Sequence, residues 1–113
     1  MKIVTNRPCF QGDLMFRRID AVPATGQKSA PESGRHILAH SETGHHHVIE
    51  SRAADRFIDS MNEFISYLSV SSETTIEHLR DFDTHEAWLL TPGIYEVRQQ
   101  KEYVPEGFRR AED

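Results

Sequence analysis

An all-β domain, or a β-dominated α+β one, is the fold class this sequence predicts, and two observations carry the prediction. Short runs of β-branched and aromatic residues recur between turn-forming residues, and the clearest of them alternate apolar with polar side chains. About seven such strands fit into the chain, which is the pattern of a small antiparallel barrel or sandwich. A length of 113 residues falls in the range of a single domain spanning 1–113.

Taken in order, residues 13–19 follow the turn-like pair Gln11 and Gly12 and hold enough apolar mass in Leu14, Met15, Phe16 and Ile19 for a strand. Residues 23–35 contain almost no core-forming side chain, so they read as a long loop, either ordered by function or, as expected here, mobile, because their composition does not offset the entropy of ordering. The histidine-rich stretch 36–50 reads as a hairpin. Between residues 51 and 70 two periods compete. Ala54, Phe57, Ile58, Met61, Phe64, Ile65 and Leu68 fit a helical stripe, whereas Phe64, Ser66, Leu68 and Val70 alternate. The expectation is a short helix or loop near 52–60 followed by a strand over 64–70. Residues 74–79 and 86–90 read as strands, with Trp88 and Leu90 among the packed residues. After Thr91, Pro92 and Gly93, residues 94–104 alternate over a long run. Pro105 and Gly107 end it, leaving a short C-terminal tail at 105–113.

Composition narrows the function classes. Net charge is −5 with histidine neutral, and basic residues pair only at Arg17-Arg18 and Arg109-Arg110, so direct nucleic-acid binding is not expected. Cys9 is the single cysteine, which excludes an intramolecular disulfide and a thiolate zinc cluster, and no local base would activate it. No segment has the length of a membrane span, and the first eight residues lack the apolar run of a signal peptide. A soluble, cytoplasmic protein is the expectation. A glycine-rich phosphate loop, a nucleophile elbow and paired-cysteine knuckles are all missing, so the sequence names no catalytic residue and leaves open whether this is an enzyme.

Seven histidines are present, and five lie between positions 36 and 47. Read as two strands joined by the turn 41–44, the stretch sets His40 opposite His45, Leu38 opposite His47, and His36 opposite Ile49. Opposed residues point the same way and side chains alternate along a strand. That register gathers His36, His40, His45 and His47 on one face and sends His46 to the other. Converging neutral imidazoles are what a divalent transition metal such as zinc, nickel or iron requires. A one-residue slip would separate the set. The plainer alternative is a solvent-facing hairpin whose imidazoles bond to one another.

A second polar group lies at 81–86. If extended, Asp81, Asp83 and His85 share a face and could supply ligands or a carboxylate that orients a ligating histidine. A charged turn is the alternative. The candidate metal set is therefore His40, His45, His47 and His85, with His36, Asp83 and Glu50 as weaker members.

Two family resemblances follow from these residues. His45, His47 and Glu50, with Pro92 and Gly93 opening a later strand, resemble the motifs of single-domain cupins, although Glu50 stands closer to His47 than that motif requires and no histidine follows Gly93. The resemblance implies a β-barrel with a metal held by histidines. More of the chain is covered by the second likeness. Gln11-Gly12-Asp13-Leu14, the run from Ser41 to His47, Asp83 to Glu86, Pro92-Gly93 with Tyr95, and Gln100 to Gly107 resemble a group of small uncharacterised proteins of phages and bacteria. That resemblance implies provenance and a shared fold, with the bacterial host cytoplasm as location if the protein is phage-encoded.

Two function classes remain. One is a metal-binding β domain in which His45 and His47 hold the ion with His40 or His85. The other is a phage-encoded inhibitor that docks its acidic surface on a host defence or nucleic-acid-processing protein without catalysis.

Overall fold

The computed structural model describes residues 2–39, 47–78, 88–100, 102–104 and 107–109. Its strands, in chain order, are β1 (Lys2–Ile3), β2 (Cys9–Gln11), β3 (Leu14–Ile19), β4 (Gly26–Ser29), β5 (Arg35–Ala39) and β6 (His47–Glu50). A 3₁₀ turn at Ser51–Ala53 leads into β7 (Ala54–Asp59). There follow β8 (Ile65–Val70), β9 (Thr74–His78), β10 (Trp88–Leu90), β11 (Gly93–Gln99), β12 (Glu102–Val104) and β13 (Gly107–Arg109).

Two sheets carry the architecture. One has five strands in the order β1-β10-β9-β6-β5, and the other has six in the order β2-β3-β11-β8-β7-β4. Pairing is antiparallel except where β1 runs parallel to β10. This is the sandwich alternative of the expected fold, and neither sheet closes into a barrel. Period-two alternation explains why. Leu14 and Phe16, Leu68 and Val70, and Tyr95 and Val97 from the larger sheet meet Leu38, Ile49, Ile76 and Leu90 from the smaller one in a single buried cluster. Each large side chain buried this way contributes roughly 1.5–3 kcal/mol. Trp88 packs against that cluster and meets Phe16 edge-on, at 5.8 Å between ring centroids.

Sequence expectations are corrected at four places. The stretch 23–35, expected to be a loop, carries β4, which pairs with β7 from Gly26 opposite Asp59 to Ser29 opposite Arg56. A strand needs no apolar side chain when a neighbouring strand supplies its hydrogen bonds. The short helix expected near 52–60 is only the turn Ser51–Ala53, and Ala54–Asp59 is strand, because β7 finds partners on both sides in β4 and β8. The long alternation over 94–104 breaks after Gln99, and among the described residues β12 pairs with β13 alone, a strand inside the expected tail. Finally, β5 and β6 are out of the simple register. His36 does stand opposite Ile49, but a bulge at Leu38 brings Ala39, rather than Leu38, opposite His47. The bulge keeps Leu38 in the core while adding one residue to β5.

Candidate functional site

His47 opens β6 and is 3 % exposed, turned into the space between the sheets. Its Nδ1 lies 2.7 Å from Oε1 of Gln11, the last residue of β2 in the opposite sheet. Gln11 is equally buried, and its Nε2 donates to the Ile76 carbonyl at 3.2 Å. A carbonyl oxygen can only accept, so the amide group of Gln11 must face Ile76 and its oxygen must face His47. The imidazole therefore donates its Nδ1–H, and in the neutral ring the lone pair sits on Nε2. That nitrogen lies 3.7 Å from Oδ1 of Asp13, whose other oxygen accepts from Nε2 of Gln99 at 3.3 Å.

The turn between β2 and β3 is shaped to this ring. Gly12 has a φ of +61°, and a Cβ built there would lie 3.3 Å from His47 Nε2. Glycine serves here both for the left-handed backbone and for the space beside the imidazole. The result is a buried histidine of fixed tautomer, flanked by a carboxylate, at one end of the sandwich.

The remaining sequence candidates separate. His36 is also buried, but its Nε2 bonds the Ala54 carbonyl at 3.0 Å, so it belongs to a different neighbourhood from His47. Glu50 is exposed, stands opposite Arg35, and by strand alternation points away from the side that His47 occupies. His40, His45, Asp83 and His85 lie outside the described residues, as do the expected opposition of His40 and His45 and the turn between them. Among the described residues, no group of three or more histidine, cysteine, aspartate or glutamate side chains is placed to hold a metal ion.

The register shows where those segments attach. Ala39 and His78 both stand opposite His47, one on β5 and the other on β9. The chain leaves the sheet toward His40 at Ala39, returns from His45 at His47, and leaves toward His85 at His78. These three attachment points are neighbours across one sheet. His78 itself, unremarked in the sequence, occupies a register position beside His47 that only the nonlocal pairing of β6 with β9 creates.

Gln11 and Asp13 were missed as site residues. The turn-like Gln11-Gly12-Asp13 was the available signal, but nothing local ties it to a histidine 36 positions later. Cys9 donates its thiol to the Phe16 carbonyl at 3.1 Å, and burial pushes its pKa up to about 11. Burial therefore disfavours the thiolate, the form in which a cysteine acts as a nucleophile. Among the described residues, no helix is long and apolar enough to cross a membrane.

A family model, Domain of unknown function (DUF8820), matches residues 10–100. The chain belongs to that family. The match takes in Gln11, Gly12, Asp13, His36 and His47, so the buried histidine and its supporting turn are parts of the domain itself. It stops before β12 and β13. No curated protein and no solved structure matches the chain.

Proposed function

We propose that this domain binds a divalent transition metal, zinc, nickel or iron, at the end of the five-stranded sheet where β5, β6 and β9 adjoin. His47 is the anchoring ligand, His45 its partner, and His40 or His85 the third, with Asp83 as a further oxygen donor. One observation carries this reading: Gln11 takes the Nδ1–H of His47 and so directs its lone pair to Nε2. Ligating histidines characteristically donate their other ring nitrogen to a carbonyl or carboxylate, which fixes the tautomer and the ring orientation. The attachment of the segments bearing His40, His45 and His85 at Ala39, His47 and His78 supports it further.

Three histidine ligands would leave a tetrahedral ion one open position, to be taken by the Asp83 carboxylate, by water or by substrate. The test is metal analysis of protein purified without an affinity tag, followed by calorimetric titration with zinc and nickel. One ion per chain in the parent, and none in His47→Ala, is the expected outcome. A parent protein that takes up no metal under either condition overturns the proposal.

A further inference from the structure

Asp13 stands in the turn between β2 and β3 of the six-stranded sheet, and His47 opens β6 of the five-stranded one. Oδ1 of the carboxylate lies 3.7 Å from Nε2 of the imidazole. Gln11 takes the Nδ1–H of the neutral ring, so the two atoms that approach one another here are both electron-pair donors. A positive charge shared between them makes that approach favourable. A proton on Nε2 is one such charge, but 3.7 Å exceeds the roughly 2.7–3.2 Å of an N–H···O hydrogen bond, so it would bond one of the two alone. A metal ion is the other. Bonds of about 2.0–2.2 Å to imidazole nitrogen and to carboxylate oxygen let one ion reach both donors across 3.7 Å.

The carboxylate is held in place by the far end of β11. Its Oδ2 accepts from Nε2 of Gln99 at 3.3 Å, and the backbone carbonyl of Asp13 accepts from the N–H of Gln100 at 2.8 Å. A second oxygen fixed by a hydrogen bond is the usual support of a ligating carboxylate. Gly12, left-handed at a φ of +61°, sets the turn that brings the two donors together. The Asp13 side chain is 45 % exposed and that of His47 only 4 %, so the pair sits where core meets solvent and a hydrated ion has a way in.

We propose that Asp13 supplies the oxygen ligand of the metal site, so that one ion bonds His47 of the first sheet and Asp13 of the second and ties them together. The inference rests on the reading of His47 as a metal ligand, with His45 and His40 or His85 making up the set. Asp13 then takes the fourth position of a tetrahedral ion, and a set closed by protein ligands is the pattern of a site that serves structure. Ligands drawn from both sheets make metal binding a stabilisation of the sandwich itself.

The experiment compares the parent, Asp13→Asn and Glu50→Gln as full chains, by calorimetric titration with zinc and by the visible spectrum with cobalt. Asparagine matches aspartate in shape and suits turns, so Asp13→Asn should keep the fold, which circular dichroism checks. It should bind zinc at least about tenfold more weakly than the parent, and its cobalt bands should shift because a ligand has changed. Glu50→Gln removes the same charge from the side of β6 away from His47 and should match the parent. Zinc should also raise the melting temperature of the parent more than that of Asp13→Asn. If Asp13→Asn does not fold, Asp13→Glu takes its place, and an unshifted cobalt spectrum there overturns the ligand role. A parent that binds zinc, with Asp13→Asn equal to it in affinity and spectrum, overturns this inference and leaves the histidine site standing. Equal weakening in Glu50→Gln overturns it as well, since net charge would then be the cause. A parent that takes up no metal overturns the inference and the histidine site together.

Discussion

Nδ1 of His47 donates to Oε1 of Gln11 across 2.7 Å, and Gln11 in turn donates to the Ile76 carbonyl. One side chain from the six-stranded sheet thereby holds two strands of the five-stranded sheet, β6 and β9, at the end where the histidine segments attach. Removing it should be felt twice. Gln11→Ala removes one hydrogen bond from a buried imidazole and one from a buried carbonyl, a loss of about 1–3 kcal/mol. It also frees the tautomer of His47, which should lower metal affinity about 10- to 100-fold. Denaturant unfolding and calorimetric titration measure the two effects separately, and an unchanged affinity would mean that Gln11 is structural only.

Gly12→Ala tests the turn. The left-handed backbone at Gly12 costs a residue with a Cβ roughly 1–2 kcal/mol, and the new methyl would sit 3.3 Å from His47 Nε2 and 3.4 Å from Cε1. The ring must give way by tenths of an ångström. A lower melting temperature together with shifted His47 ring signals is the expected result. A melting temperature equal to the parent's would show that the turn relaxes freely.

Acidification should destabilise the fold, beginning with His36. Burial is the main cause that holds this imidazole below the usual 6.5 of a histidine, helped by the nearby Arg56 charge and opposed by the Ala54 carbonyl and Asp55. An unfolded chain would take up the proton near 6.5 while the folded one resists it. The unfolded state then binds more protons, so stability is complete above 6.5, falls as pH drops through the folded value, and levels off beneath it. Glu96 and Asp59 add to the loss at lower pH. Burial raises the pKa of Glu96, but Arg98 and Arg17 outweigh it, and Tyr67, Met61 and Thr25 bond the carboxylate of Asp59. His36→Gln should flatten the stability curve just below 6.5 and leave its more acidic part unchanged. A parent curve that is flat from 7 to 5 would refute the assignment to His36.

The mistakes in reading the sequence share one physical origin. Strands β3, β8 and β11 were visible because Leu14 and Phe16, Leu68 and Val70, and Tyr95 and Val97 mark one face at period two. Strand β4 was invisible because Gln27, Lys28 and Ser29 bring nothing apolar, and its stability comes from pairing with β7. The apparent helical stripe leaned on Met61, which is 83 % exposed and belongs to no core. His47 was picked out by its neighbours in sequence, whereas its actual partners, Gln11 and the strand carrying Ile76, reach it only through tertiary packing. The bulge at Leu38 likewise satisfies the core and leaves no mark in the hairpin's composition.

Substitutions at the other histidines and carboxylates should sort the sheet-end metal site from its surroundings. His36 bonds Ala54 in its own neighbourhood, and Glu50 points to the side of β6 away from His47. His36→Gln and Glu50→Gln should therefore bind zinc or nickel as tightly as the parent, while His47→Ala, and His45→Ala with it, should lose the ion. Protons compete with the metal for imidazole nitrogen, so the parent's affinity should also fall on acidification, over a pH range in which the fold is still intact by circular dichroism. Loss of binding in His36→Gln with its fold preserved would mean that the ion sits between the sheets nearer β7, and that the arrangement around His47 serves packing alone.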